Sequence, residues 1–389
     1  MYGREKTKKD TTRISFGGKQ PRIIHFWEHS LFGKGLKSGC AWGKITPVAL
    51  FPSAGERLNR VRRSQHSPLY HRNTLLAWGF LAFLLAFSLL IQDYYLKVAW
   101  LIPTFLLNYL VWANYRAIHP TRLRLPMFTP GDSMLHYETI TFPSRDGLQI
   151  AAWYVPSKNR AAVILVHGSG GNKATLLNQL RLLAMDGFGV LALDLRAHGD
   201  SQGDTITGVH EAQDVLGGLD YLKTRPDVDA DKIGALGISL GAVVVLRAAR
   251  ETGDLRALIL ESLGPIGLKD HGGPPLSLRR KINYPLNWFM YKFGDWMCGA
   301  TPPETVCESL PHLWPRPLLL ISTGTRLERH FNRIFFEAAR EPKSLWEATR
   351  ASHAAAYVFE TDAYKEKVRG FFRDSLLNTP QQGNAGNVR

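Results

Sequence analysis

The chain has 389 residues, 45% of them hydrophobic and 11% aromatic, which is enough to bury a large core and excludes a protein disordered throughout. Its net charge is +15, but residues 1–72 hold 15 Lys and Arg against 4 Asp and Glu, so the excess sits in one end and not in a folded basic groove. That end carries no aromatic interleaving within a folded motif, and anionic lipid headgroups account for its charge as well, so no nucleic-acid partner is expected. Cys40, Cys298 and Cys307 are odd in number and lack a C-x-x-C spacing, which argues against a disulfide framework and a zinc site.

Residues 1–72 show no sustained period and are expected to be a disordered basic tail, ending in a cluster of Arg57, Arg60, Arg62, Arg63 and Arg72. Leu75 to Ile91 is an uncharged run of 17 residues, and Val98 to Ala113 is a second, interrupted by Pro103 and Asn108. At a rise of about 1.5 Å per residue each spans roughly 24–26 Å, slightly less than a hydrocarbon core of about 30 Å, and terminal Trp and Tyr extend the reach. The pattern predicts a transmembrane helical hairpin over 73–116, with a linker over 117–132. The first run begins too far along the chain for a signal peptide. Arg60, Arg62, Arg63 and Arg72 precede the hairpin and Arg116, Arg122 and Arg124 follow it, while the inner loop holds Lys97 alone. The positive-inside rule then places both outer ends in the cytoplasm.

From residue 133 the pattern alternates between strand and helix. Tyr137–Phe142 and Leu148–Val155 read as a hairpin around Arg145-Asp146-Gly147, and Ala162–Val166 as a strand buried on both faces. There follow a helix at Ala174–Met185, a strand at Gly189–Leu193, a helix at His210–Lys223, a strand at Lys232–Ile238, a helix at Leu240–Glu251 and a strand at Ala257–Leu260. After an irregular stretch come a strand at Pro317–Ile321, a helix at Ile334–Ala339, a short strand at Ser344–Trp346 and a last helix near Tyr364–Leu377, leaving 378–389 as a tail. Repeated strand–helix units predict a mostly parallel sheet with helices on both faces. Residues 263–315 break the order and are rich in Pro and large apolar groups, among them Trp288, Phe289, Phe293 and Trp296. They are expected to form a cap whose aromatic face lines a pocket.

Three loops carry chemistry. Gly237-Ile-Ser-Leu-Gly241 lies between a buried strand and a helix, the setting of a nucleophile elbow, with Gly237 and Gly241 letting the two backbones pass closely. Ser239 is the candidate nucleophile, and the helix N-terminus at Leu240 presents free amides to a developing anion. His167-Gly168-Ser169-Gly170-Gly171 follows the strand Ala162–Val166, where glycines let an amide face the pocket, and the amides of Ser169 and Leu240 form a natural oxyanion pair. The stretch lacks the Gly-Lys-Ser/Thr ending of a phosphate loop. Asp194-Leu-Arg-Ala-His-Gly-Asp-Ser201 follows the next strand, and Asp194 is expected to brace the loop near the oxyanion site.

With these pieces in order and a late histidine, residues 133–376 resemble the α/β-hydrolase superfamily, nearest its serine aminopeptidase/monoacylglycerol-lipase-like branch. The resemblance implies an α/β-hydrolase fold with a cap between the sixth and seventh strands, no metal or organic cofactor, and a triad in the order Ser, acid, His. His353 in Arg350-Ala-Ser-His353 is then the implied general base. The loop Ser322–Arg329 departs from the family in having no Asp; Glu328 is its only carboxylate and the first candidate acid, and Glu261 at the end of the sixth strand is the alternative. The reading that follows is a membrane-anchored serine hydrolase of carboxylic esters with a lipid-derived or other small acyl substrate. Its rivals are a peptidase or thioesterase on the same fold, and a hydrolase-like body that only binds.

Overall fold

The computed structural model describes residues 68–122, 128–267, 270, 288–289, 292–293, 296 and 304–378. The predicted tail over 1–72 lies outside these residues as far as 67, as do 379–389, most of the predicted cap, Cys40 and Cys298.

Two helices come first, α1 over Pro68–Ser88 and α2 over Tyr94–Ile118. Helix α1 therefore begins inside the stretch read as tail. Asp93 caps α2 by accepting from the Leu96 amide at 2.8 Å, and Pro103 is accommodated within one continuous helix. The two pack as a hairpin: Trp100 Nε1 donates to the Leu84 carbonyl at 3.1 Å, and the Phe87 and Trp100 rings lie 5.3 Å apart. Tyr94–Arg116 is long and apolar enough to cross a membrane by length and composition; the apolar part of α1, Arg72–Ser88, is shorter. Large apolar side chains along both helices, including Leu75, Phe83, Ile102 and Phe105, are exposed.

The body is one eight-stranded sheet in the order β1-β2-β4-β3-β5-β6-β7-β8. The strands are β1 Glu138–Pro143, β2 Gln149–Val155, β3 Ala162–Val166, β4 Gly189–Leu193, β5 Ile233–Ile238, β6 Ala257–Glu261, β7 Leu318–Thr323 and β8 Lys343–Ala348. Strand β2 runs antiparallel to β1 and β4, and the remaining pairs are parallel. The uninterrupted apolar runs of β3, β4 and β5 are buried along their whole length, as strands covered on both faces must be.

Alternation along each strand divides the core in two. Ile164, Val166, Leu191 and Leu193 face α4 (Ala212–Lys223), α5 (Leu240–Glu251) and α6 (Arg326–Ala338). Val163, Leu165, Val190 and Ala192 face α3 (Leu177–Met185) and α7 (Thr361–Phe372). From β3 the chain moves outward through β4 on one side, then returns to β5 and continues to β8 on the other. The carboxyl ends of β3 and β5 thus flank a topological switch point, where open α/β sheets place their sites.

Two expectations are corrected here. Helix α6 starts at Arg326, not Ile334, because Thr325 caps it and accepts from the Glu328 amide at 3.3 Å. Residues 306–313 belong to the body and not to a cap: Val306, Leu310 and Leu313 are buried in the core shared with α5. Asp270 holds that end in place, its carboxylate accepting from the amides of Ile266, Val306 and Cys307. Of the aromatic residues assigned to a pocket lining, Phe293 instead packs against Ala77, Leu81, Leu107 and Val111 of the hairpin.

Candidate active site

Ser239 occupies the turn between β5 and α5 with φ 55° and ψ −115°, a conformation a non-glycine residue rarely adopts and one that stores strain. Its amide donates to the Glu261 carbonyl at 2.8 Å. The turn is possible because its flanking residues have no side chains: a Cβ on Gly237 would lie 2.2 Å from the Gly241 carbonyl oxygen, and one on Gly241 would lie 2.3 Å from that of Val166. Helix α5 therefore meets the end of β3 in direct backbone contact, which brings the loop after β3 beside the serine.

The Ser239 hydroxyl is 3.0 Å from His353 Nε2, although the residues are 114 positions apart. His353 lies in the turn after β8, and its Nδ1 bonds Glu328 Oε1. Glu328 stands in the first turn of α6, where the helix N-terminus favours a negative charge. Its second oxygen accepts from the Thr323 amide at 3.0 Å, from the Thr323 hydroxyl, and from the Ser262 hydroxyl at 3.4 Å. Burial pushes the Glu328 carboxyl upward, but the bonds from His353 and Thr323 outweigh it and hold the group below the usual carboxylate range. The same contact raises His353 above its ordinary value, against the effect of burial. Charged Glu328 thus fixes the Nδ1–H tautomer and leaves Nε2 facing the serine as a proton acceptor.

The alternative acid occupies a different position. Glu261 is buried at the end of β6 and accepts from the Tyr364 hydroxyl at 2.8 Å. Burial pushes its carboxyl up to about 7, and Nδ1 of His353 is held by Glu328.

The glycine loop after β3 is braced from below. Lys173 and Asp194 are both buried; Asp194 accepts from the Lys173 amide at 2.7 Å, from Lys173 Nζ at 2.6 Å and from the Asp200 amide at 2.9 Å. His198 Nε2 accepts from the Gly170 amide at 3.2 Å and His167 Nε2 from the Leu195 amide at 3.1 Å. Burial, then the neighbouring His198, pushes His167 down to about 4, so His167 is a neutral strut between the two loops and not a base. Gly168 runs against the nucleophile, since a Cβ there would lie 3.3 Å from Ser239 Cβ. Among the described residues neither the Ser169 nor the Leu240 amide donates to a protein acceptor. No group of three or more His, Cys, Asp or Glu among the described residues could hold a metal ion.

The sequence reading missed Ser262, Thr323, Lys173 and Tyr364. Thr325-x-x-Glu328 has the spacing of a helix capping box, a signal that would have placed the start of α6. Here the glutamate side chain turns to His353 and Thr323.

Comparison with known proteins agrees with this arrangement. The model of the alpha/beta hydrolase family matches residues 163–376, more than half of the chain. Protein YfhR of Salmonella typhimurium is 28% identical over 149 residues, 34% of this chain and 51% of YfhR, so the chain spans about half the length of that relative. Protein YqkD of Bacillus subtilis is 26% identical over 242 residues, 59% of this chain and 77% of YqkD. Among solved structures, the Pyrococcus furiosus esterase Pf2001 superposes with a TM-score of 0.54 at 25% identity, covering 67% of this chain and 100% of the esterase. With the family model matched over more than half of its length, the chain belongs to the alpha/beta hydrolase family.

Proposed function

We infer that the protein is a membrane-anchored serine hydrolase that cleaves carboxylic esters through an acyl-enzyme. The observation that carries this reading is the continuous relay from Ser239 Oγ through His353 to Glu328 beside two unpartnered amides. Ser239 Oγ attacks the ester carbonyl carbon while His353 Nε2 takes the hydroxyl proton. The carbonyl oxygen becomes an oxyanion received by the amides of Ser169 and Leu240. As the carbonyl re-forms, the bond to the alcohol oxygen breaks and His353 returns the proton to that oxygen. Water, deprotonated by the same nitrogen, then attacks the acyl-serine; the bond to Ser239 Oγ breaks, His353 returns the proton to that oxygen, and the acid leaves. Glu328 remains charged throughout and stabilises the imidazolium. The likeness to an esterase of known structure supports ester cleavage over peptide cleavage.

Anchoring rests on the exposed apolar surface of the hairpin and on the length of Tyr94–Arg116. By the positive-inside rule, the basic residues outside the hairpin support a cytoplasmic side for the hydrolase body. Lipid-derived acyl esters are the substrate class, because Phe293, between β6 and β7, packs against the same hairpin and so stands beside the source of such substrates.

The decisive experiment is labelling of detergent-solubilised membranes with a fluorophosphonate probe. Wild type should be labelled, and Ser239→Ala and His353→Ala should not. A folded wild-type protein that resists the probe overturns the enzyme reading and leaves a hydrolase-like binding protein. A panel of esters of rising acyl length then reads the substrate class: preference for short acetyl esters over long chains contradicts a lipid-derived acyl group.

A further inference from the structure

Beside the relay lies a dipeptide, Glu261-Ser262 at the carboxyl end of β6, that bonds Ser239, Glu328 and Ala354, the residue after His353. The Glu261 carbonyl accepts the Ser239 amide at 2.8 Å and so fixes the strained elbow from the sheet side. The Ser262 amide donates to the Ile321 carbonyl at 2.8 Å, which ties it to β7 and the approach to Glu328. The Ser262 hydroxyl does two things at once. It donates to Glu328 Oε2 at 3.4 Å and accepts from the Ala354 amide, the residue after His353, at 3.0 Å. Ser262 and Ala354 have φ values of 54° and 56°, unfavourable for side-chain-bearing residues and kept only where the surroundings over-determine them. On the far side, the Glu261 carboxyl accepts from Tyr364 of α7, whose hydroxyl also receives Gln179 of α3 at 3.4 Å.

We propose that Glu261 and Ser262 are positioning residues, a clamp that sets Glu328 and the His353 loop at the correct distance from Ser239. This deepens the serine-hydrolase reading and rests on it. The clamp replaces one long lever with short ones: Ser239, Glu328 and His353 come from three different strand ends, and β6 lies between the strands that carry the first two. A hydroxyl bonded to both the acid and the base loop converts a shift of either into a shift of both. The carboxyl has a second consequence. The Glu261 carboxyl bonds Tyr364, with Tyr357 packed against Tyr364, and lies within electrostatic reach of Glu328 and His353, so in its charged form it adds a second negative charge felt by the imidazole.

The test compares wild type with Ser262→Ala, Ser262→Gly and Glu261→Gln as full-length chains in detergent. The readouts are turnover of p-nitrophenyl butyrate and the far-downfield proton resonance of His353 Nδ1–H. Ser262→Ala and Ser262→Gly should each lower kcat about tenfold, with KM within about twofold, and each should move or broaden the resonance. Glu261→Gln keeps the side-chain volume and should move the acid limb of kcat/KM to lower pH. Wild-type kcat and an unmoved resonance in both Ser262 variants would overturn the clamp. So would a loss confined to KM, or a loss in the alanine variant that glycine, which tolerates the backbone angle, does not share. An unmoved acid limb in Glu261→Gln would remove Glu261 from it, even where both Ser262 variants fail to fold. Should wild type turn over no ester, the hydrolase reading fails by itself, and the resonance still decides the clamp.

Discussion

At the scale of single residues, the site turns on how two carboxyls of one pocket are treated differently. Glu328 gains hydrogen bonds that stabilise its charge, and Glu261 gains mainly burial that opposes it. The charged one is therefore the partner that holds the histidine. Because Glu328 raises His353, the base is neutral and competent only above the ordinary histidine value of about 6.5. The acid limb of the kcat/KM profile should accordingly have its midpoint above that value. Glu328→Gln should move the midpoint down and lower kcat by about 100-fold or more, as loss of the orienting charge does in other relays. A pH–rate series on both proteins checks it, and a midpoint that stays fixed in Glu328→Gln would show that the acid lies elsewhere. Of the two candidate acids in the sequence, Glu261 and Glu328, the second stood out as the sole carboxylate between β7 and Arg329. Its support by Thr323 and Ser262 was not legible, because those hydroxyls are identified only by where three strand ends meet.

At the scale of elements, the elbow is a packing problem between β5, α5 and β3. The Gly-x-Ser-x-Gly pattern reads as a strand-to-helix turn, and the physical demand behind it is the backbone contact of α5 with the end of β3. Gly241→Ala places a Cβ 2.3 Å from the Val166 carbonyl oxygen, a clash against backbone that no side-chain movement relieves. It should destabilise the body by more than about 3 kcal/mol and cost most of the folded yield, measured by thermal melting of the solubilised chain. An unchanged melting temperature would mean that the helix can move off the sheet. Helix α6 shows the reverse case. Its first half, Arg326-Leu-Glu-Arg-His, is too polar to show an apolar stripe, so periodicity marks only its later turns, while the Thr325 cap sets the true start.

At the scale of the whole molecule, the hairpin meets the body through Phe293 and through hydrogen bonds at the end of α2. Arg122, just beyond α2, donates to the carbonyls of Gly199, Ser201 and Gly203, and Ile206 donates its amide to the Ile118 carbonyl. Those carbonyls belong to the loop whose His198 holds the Gly170 amide, so the end of the hairpin is tied to the support of the glycine loop after β3. Arg122→Ala should lower the melting temperature by a few degrees, as loss of hydrogen bonds worth about 1 kcal/mol each does; a melt identical to wild type would show the contact to be slack. The intact chain should also remain with membranes after alkaline carbonate washing, and recovery in the supernatant would refute anchoring through the hairpin.

The linear pattern determined what depends on neighbours along the chain. Continuous apolar runs mark strands covered on both faces, an amide-rich turn needs glycine, and two uncharged runs separated by a short polar stretch pair as helices. Tertiary structure alone decided which distant groups meet. Ser239 and His353 are 114 residues apart, and their 3.0 Å contact exists because the parallel order of β5, β6, β7 and β8 brings successive carboxyl ends to one edge. The choice between Glu328 and Glu261 follows from the same cause. Both stand at strand ends on that edge, and only the cap of α6 and the reach of Tyr364 turn one toward the histidine and the other away.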